Sequence, residues 1–191
     1  IEDFTKLLLG LDYAEFLTGK EEEIEEFILS FIRERVAQRI ATITKRHDII
    51  DAVVNSHTSS IPEQLKAAKV LSAVSESEEF KGITEALNRV INISAKAQDD
   101  ASGEILEDRL ETESERNLVK AIQELNAKVG SLTPEELYSH LEAMAQKIND
   151  FFNENMVMVD DEATRCNRLR FLGLLSQIIL DFADFTSLIV K

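Results

Sequence analysis

DFFNENMVMVDDEATRCNRLRFLGLL, residues 150–175, is the stretch on which the fold turns. Its first three residues close a helix that begins upstream at Thr133 and Pro134, where Glu136 stands three residues beyond the threonine. That is a capping box, in which a hydroxyl takes one orphan amide and a carboxylate returns to another. The middle, NENMVMVDD, alternates apolar and polar residues too briefly for a strand and reads as a tight extended connection. Asp160 and Asp161 then open a last helix, along which Leu169, Leu172, Leu175, Ile179, Phe182 and Phe185 line one side.

Working outward, the same logic places the remaining elements. Ser60, Pro62 and Glu63 form a second candidate capping box, opening a helix over Ile61 to Val74. Helices are expected from Ser77 to Lys96, Glu104 to Val129 and Pro134 to Phe152. From Glu21 to Thr44, Ile24, Phe27, Ile28, Phe31, Val36, Ile40 and Ile43 recur at threes and fours, the spacing of one helical stripe. Six Gly and two Pro in 191 residues leave few helix breakers. The expectation is an all-α bundle of about seven or eight helices. Residues 1–75 would be N-terminal helices leading into a domain over 76–191, or the whole would be one continuous helical unit.

Composition narrows the function classes. With 21 Lys and Arg against 36 Asp and Glu, the formal charge is −15, which opposes broad binding to nucleic acid or to an anionic membrane. Apolar runs such as Leu7 to Leu9 and Ile178 to Leu180 fall far short of the ~20 residues of a membrane span. The chain opens on Ile1 with no signal-peptide pattern, so the expectation is a piece of a longer cytoplasmic protein with no membrane partner. The charge is uneven. Asp99 to Glu115 carries eight acids and one base, Arg109, for −7, and reads either as a linker into a solvated helix or as a docking surface for a basic partner. Arg33 to Arg46 holds five bases and one acid, and Arg165 to Arg170 three bases and no acid.

Catalytic patterns are thin. His47, Asp48 and Asp51 resemble part of a divalent-metal phosphohydrolase doublet, but such a metal needs another His and another carboxylate. The simpler reading has Asp48 capping the helix HDIIDAVV. Cys166 lies between arginines with no nearby His to act as its base, so a small helical core residue is expected. Met156 and Met158 read as part of an apolar connector packed on the core. Arg165 and Arg168 share a helix face, and guanidinium forks grip phosphate or stack on unpaired bases. Arg165 also follows Asp161 by four residues and could make a surface ion pair, so spacing leaves both roles open.

The 150–175 stretch closely resembles the C-terminal motif of the beta subunits of bacterial glycyl-tRNA synthetases: a Phe-Phe pair, VMVM, an acidic pair and an Arg-x-Asn-Arg-Leu helix. RHDIIDAVV (46–54) and NRVINISAK (88–96) are weaker matches in the same order. The resemblance implies an all-helical, DALR-type anticodon-binding domain within an aminoacyl-tRNA synthetase, itself non-catalytic and holding no cofactor or metal. ATP and magnesium would belong to the active site of the alpha subunit, which pairs with beta as an alpha2beta2 heterotetramer. It further implies binding to the anticodon arm of tRNA-Gly, with Arg165, Asn167 and Arg168 as motif-matched contacts. Arg39, Lys45 and Arg46 follow as phosphate-contacting bases. The alternative is a structural domain that docks on the alpha subunit without touching tRNA. Two departures stand out: Asn155 where an apolar residue usually precedes MVM, and Asp181 where an Arg is common.

Overall fold

The computed structural model describes residues 21–95 and 103–190. The apolar run Leu7 to Leu9, the expected helix end at Lys96, and Asp99 and Asp100 lie outside the described residues. Seven α-helices occur among them: α1 (Glu21–Ile40), α2 (His47–Val54), α3 (Ile61–Val74), α4 (Glu79–Ala95), α5 (Glu113–Asn126), α6 (Pro134–Glu154) and α7 (Glu162–Phe182). Single 3-10 turns lie at Glu107–Arg109, Val129–Ser131 and Phe185–Ser187, and the described residues hold no strand. The all-α expectation is met.

One cluster of buried apolar side chains runs from Val36 to Leu188. α4 presents Phe80, Ile83, Leu87, Val90 and Ile91 to it at helical spacing and packs along α7 and α6. α7 buries Leu169, Phe171, Leu172, Leu175, Ile178, Ile179 and Phe182. Phe151 meets Phe171 edge-on at 5.3 Å between ring centroids, and Phe182 stacks on Phe185 at 6.0 Å. The C-terminal 3-10 turn folds back onto α2, where the Asp184 amide donates to the Ala52 carbonyl at 2.8 Å.

Capping chemistry fixes several starts. Thr133 and Glu136 form the expected box at α6, and the Asp161 carboxylate accepts from the Thr164 amide at 2.8 Å to open α7. A further box, Thr112 with Glu115, opens α5. Ser60 makes no side-chain cap. Thr58 engages Glu63 instead, its hydroxyl donating to the carboxylate at 3.1 Å and accepting from the Ser60 amide at 3.2 Å.

Three other expectations change. The helix expected from Glu104 begins only at Glu113, because residues 103–112 are drawn along α7 instead of continuing a helix. The stripe of α1 is buried only at its end: Val36 and Ile40 join the core, while Phe27 is 71% exposed and Phe31 48%. Met156 and Met158 are also turned outward, at 72% and 59%, around a buried Val157.

Candidate nucleic-acid interface

Of the arginines of α7, Arg168 is used inside the protein. Arg168 is 4% exposed. Its Nε donates to Glu115 Oε1 at 2.6 Å, its Nη2 to Glu111 Oε2 at 2.9 Å, and its Nη1 to the Met156 carbonyl at 2.9 Å. Asn155 completes the arrangement. Its amide donates to Ser114 Oγ at 3.0 Å and to the Phe151 carbonyl at 2.9 Å, while its oxygen accepts from Thr112 at 3.1 Å. Glu115 meanwhile accepts from the amides of Glu111 and Thr112 at 2.7 and 3.1 Å. A buried guanidinium is tolerable only when its donors are satisfied, and here the start of α5, the end of α6 and the first turns of α7 converge to do so.

Asn167 is buried as well. Its side chain accepts from the Leu106 amide at 2.7 Å and donates to the Leu106 carbonyl at 2.9 Å, mimicking one rung of a strand pair. Arg165 is half-buried and donates to the Val159 carbonyl at 3.0 Å. Asp161, the partner expected for it by spacing, is held below the usual carboxylate range chiefly by the bonds it accepts from Thr164. Of the three motif-matched contacts, Asn167 and Arg168 therefore have their polar atoms committed inward. These bonds fix residues 106–115 and 155–156 against α7.

The N-terminal bases divide differently. Arg39 and Lys45 are exposed at the end of α1, where Lys45 Nζ also donates to the Ala41 carbonyl at 3.2 Å. There the lysine complements the negative end of the helix dipole. Arg33 and Arg35 are exposed beside them, Arg35 lying 5.0 Å from the Phe31 ring. Arg46 is half-buried and forked onto Asp48, with Nη2 reaching the Ile189 carbonyl at 2.9 Å.

Asp48 does not cap α2. The helix starts at His47, with no side-chain cap, and the carboxylate instead accepts from Arg46 and from the Ile189 amide at 2.9 Å. Burial alone would raise its pKa, but these bonds outweigh burial and hold it below the ordinary value. The bond that Arg46 donates to Asp48 in turn raises the pKa of Arg46. Among the described residues no three His, Cys, Asp or Glu side chains converge as metal ligands, and Asp48 is committed elsewhere. The phosphohydrolase reading has no geometric support. Cys166 is a free, half-buried thiol.

A cleft of about 490 Å³ lies where α4 meets the end of α6 and the 155–158 connection. Arg89 from α4 places its guanidinium carbon 4.1 Å from the centroid of the Phe152 ring, and Met156 and Met158 line the same cleft. Sequence reading passed over this pairing. Its only trace was that Arg89 and Phe152 fall in two matched segments, which spacing cannot bring together.

No described helix is long and apolar enough to cross a membrane. Residues 83–184, from α4 through α7, match the DALR anticodon binding domain. The chain is 33% identical over 178 residues to the glycine-tRNA ligase beta subunit of Shouchella clausii, covering 91% of this chain and 25% of that protein. The same subunit of Lactobacillus delbrueckii subsp. bulgaricus is 31% identical over 192 residues, covering 100% and 27%. That of Halalkalibacterium halodurans is 32% identical over 197 residues, covering 99% and 28%. The chain thus spans about a quarter of the length of the curated relatives it matches. With a match that spans more than half of its length, from α4 through α7, the chain belongs to the DALR anticodon binding domain family.

Proposed function

We propose that this chain binds the anticodon arm of tRNA-Gly as part of a glycine-tRNA ligase beta subunit, supporting glycine attachment carried out elsewhere in the assembly. The observation that carries this reading is the family match over α4 to α7, in a chain similar along almost its whole length to such subunits. In this reading the protein is cytoplasmic and pairs with an alpha subunit as alpha2beta2. ATP and magnesium act at the alpha-subunit site. A purely structural domain docked on alpha has less support, because it leaves the match to an anticodon-binding family without a purpose.

The residues suited to RNA are those with free polar ends. Arg39 and Lys45, with Arg33 and Arg35 nearby, are exposed cations able to meet phosphates, while Arg46 is largely spent on Asp48 and Ile189. Asn167 and Arg168 act one step back, by fixing the surface that faces RNA, while half-buried Arg165 remains a candidate contact. Because the chain is acidic overall, such contacts must be local, and affinity should fall with salt in proportion to the few phosphates neutralised. The test is a binding titration of tRNA-Gly against a tRNA with an exchanged anticodon. Tighter binding of tRNA-Gly is expected, and equal affinity for the two would sink anticodon recognition.

A further inference from the structure

The cleft between α4 and the 155–158 connection has the chemistry of a site for a base rather than a phosphate. Arg89 is exposed, and among the described residues no carboxylate pairs with its guanidinium. Its guanidinium carbon lies over the Phe152 ring at 4.1 Å, and the side chain is exposed, so a planar group able to stack remains open to solvent. Met156 and Met158, 72% and 59% exposed, line the same cleft, held outward by the buried Val157 between them. Thioethers are polarizable and adaptable partners for aromatic rings. Asn153 and Glu154, both exposed, line the rim with hydrogen-bonding groups. One arginine and one glutamate make the cleft nearly neutral, which disfavours a phosphate and suits a base carrying an exocyclic amino group for the carboxylate to accept from.

From this juxtaposition we infer that Arg89, stacked on Phe152 in the cleft that Met156 and Met158 line, is the platform on which one unpaired nucleobase of a bound RNA loop stacks. The inference rests on the anticodon-binding reading above and locates a contact within it. These residues fall inside the matched 83–184 region. The volume of about 490 Å³ lies in the range of small-ligand pockets. Stacking on an aromatic–guanidinium pair is tolerant of base identity, so discrimination comes from Glu154 and Asn153 at the base edge.

The chain has three methionines, and the third, Met144, is buried in the core. This makes methyl-labelled methionine NMR a direct readout. The 191-residue chain would be titrated with the anticodon stem-loop of tRNA-Gly and with a blunt duplex of the same stem. Met156 and Met158 methyl signals should move upfield with the stem-loop and not with the duplex, while Met144 stays in place. Arg89→Lys keeps the charge but not the planar face. It should weaken stem-loop binding about tenfold, with duplex binding unchanged, and an unmoved Met144 signal shows that the variant is folded. Stem-loop binding without Met156 or Met158 shifts, and with Arg89→Lys at full affinity, would overturn this site while leaving the anticodon reading intact. So would unchanged RNA affinity in Arg89→Lys and Met156→Ala together with weaker association with the alpha subunit, which would assign the cleft to a protein contact. No binding of the stem-loop by the unaltered chain would overturn both readings.

Discussion

Two arginine-rich stretches, the end of α1 and the start of α7, look alike in sequence and are put to opposite uses. At the end of α1, Arg33, Arg35 and Arg39 lie on the outside of a helix whose core contacts are Val36 and Ile40. At the start of α7, Arg168 is enclosed by Glu115, Glu111, Asn155 and a backbone carbonyl. The difference comes from what the rest of the chain brings opposite. Nothing local to RCNRLR announces that an acid 53 residues upstream will close on Arg168. The charge of a segment therefore says little about its availability until its partners are known.

The sharpest way to break this contrast is Arg168→Ala. Leaving Glu115 buried without its cation should cost about 3–5 kcal/mol in urea denaturation, the usual cost of removing one partner of a buried pair. RNA affinity should fall with the folded fraction and, in the protein that remains folded, only as far as the 155–156 segment is loosened. A variant of normal stability with lost RNA affinity would turn Arg168 back into a contact residue. Next in size, Asn167→Ala removes both bonds to Leu106 and should cost roughly 1–3 kcal/mol. Faster amide exchange confined to residues 103–112 would mark its role as a strap.

On the exposed side, Arg39→Ala with Lys45→Ala should change stability by no more than about 0.5 kcal/mol. The same double variant should flatten the salt dependence of RNA binding by roughly one to two logarithmic units. An unchanged salt slope would remove α1 from the interface. Acid titration tests the intermediate case of Arg46. Asp48 has a folded pKa below its unfolded value, so its contribution is complete above about pH 4 and is lost as pH falls through the lower folded value. Loss of exchange protection at Ile189 in that window, absent in Asp48→Asn, is the expected sign. The smallest effect concerns Asp181, which burial pushes up against the opposing influence of His57. An acid raised in the folded state destabilises at neutral pH. Asp181→Asn should therefore give a slight gain in melting temperature at pH 7 that disappears on acidification.

Much of the fold was legible because its signals are local. Thr133 with Glu136 and Asp161 with Thr164 mark helix starts by short-range bonds, and the apolar spacing of α4 and α7 names the faces they bury. The failures share a cause. Residues 104–112 have helix-compatible side chains, but Asn167 holds Leu106 in an extended pairing and Thr112 restarts the helix. Periodicity identified Phe27 and Phe31 as one face without saying whether anything covers it. Glu63 answered Thr58 rather than Ser60, a choice between hydroxyls two residues apart. Asn155, conspicuous as a departure from the expected apolar residue, gains its meaning from Ser114 and Thr112, some forty positions earlier.

The return of the C-terminal segment to α2 has a consequence for synthesis. Arg46 and Ile189 are separated by 143 residues, and the Asp48 carboxylate waits for the amide of that same Ile189. At translation rates of about 5–20 residues per second, roughly 7 to 29 seconds pass between the appearance of these partners. During that interval α2 has no 3-10 turn to cover it, and its buried face of Ile49, Ile50, Ala52 and Val53 is incompletely shielded. The nascent chain therefore carries a vulnerable apolar helix until residues 184–189 emerge, and a ribosome stalled near Phe182 would expose that helix to chaperones or to aggregation.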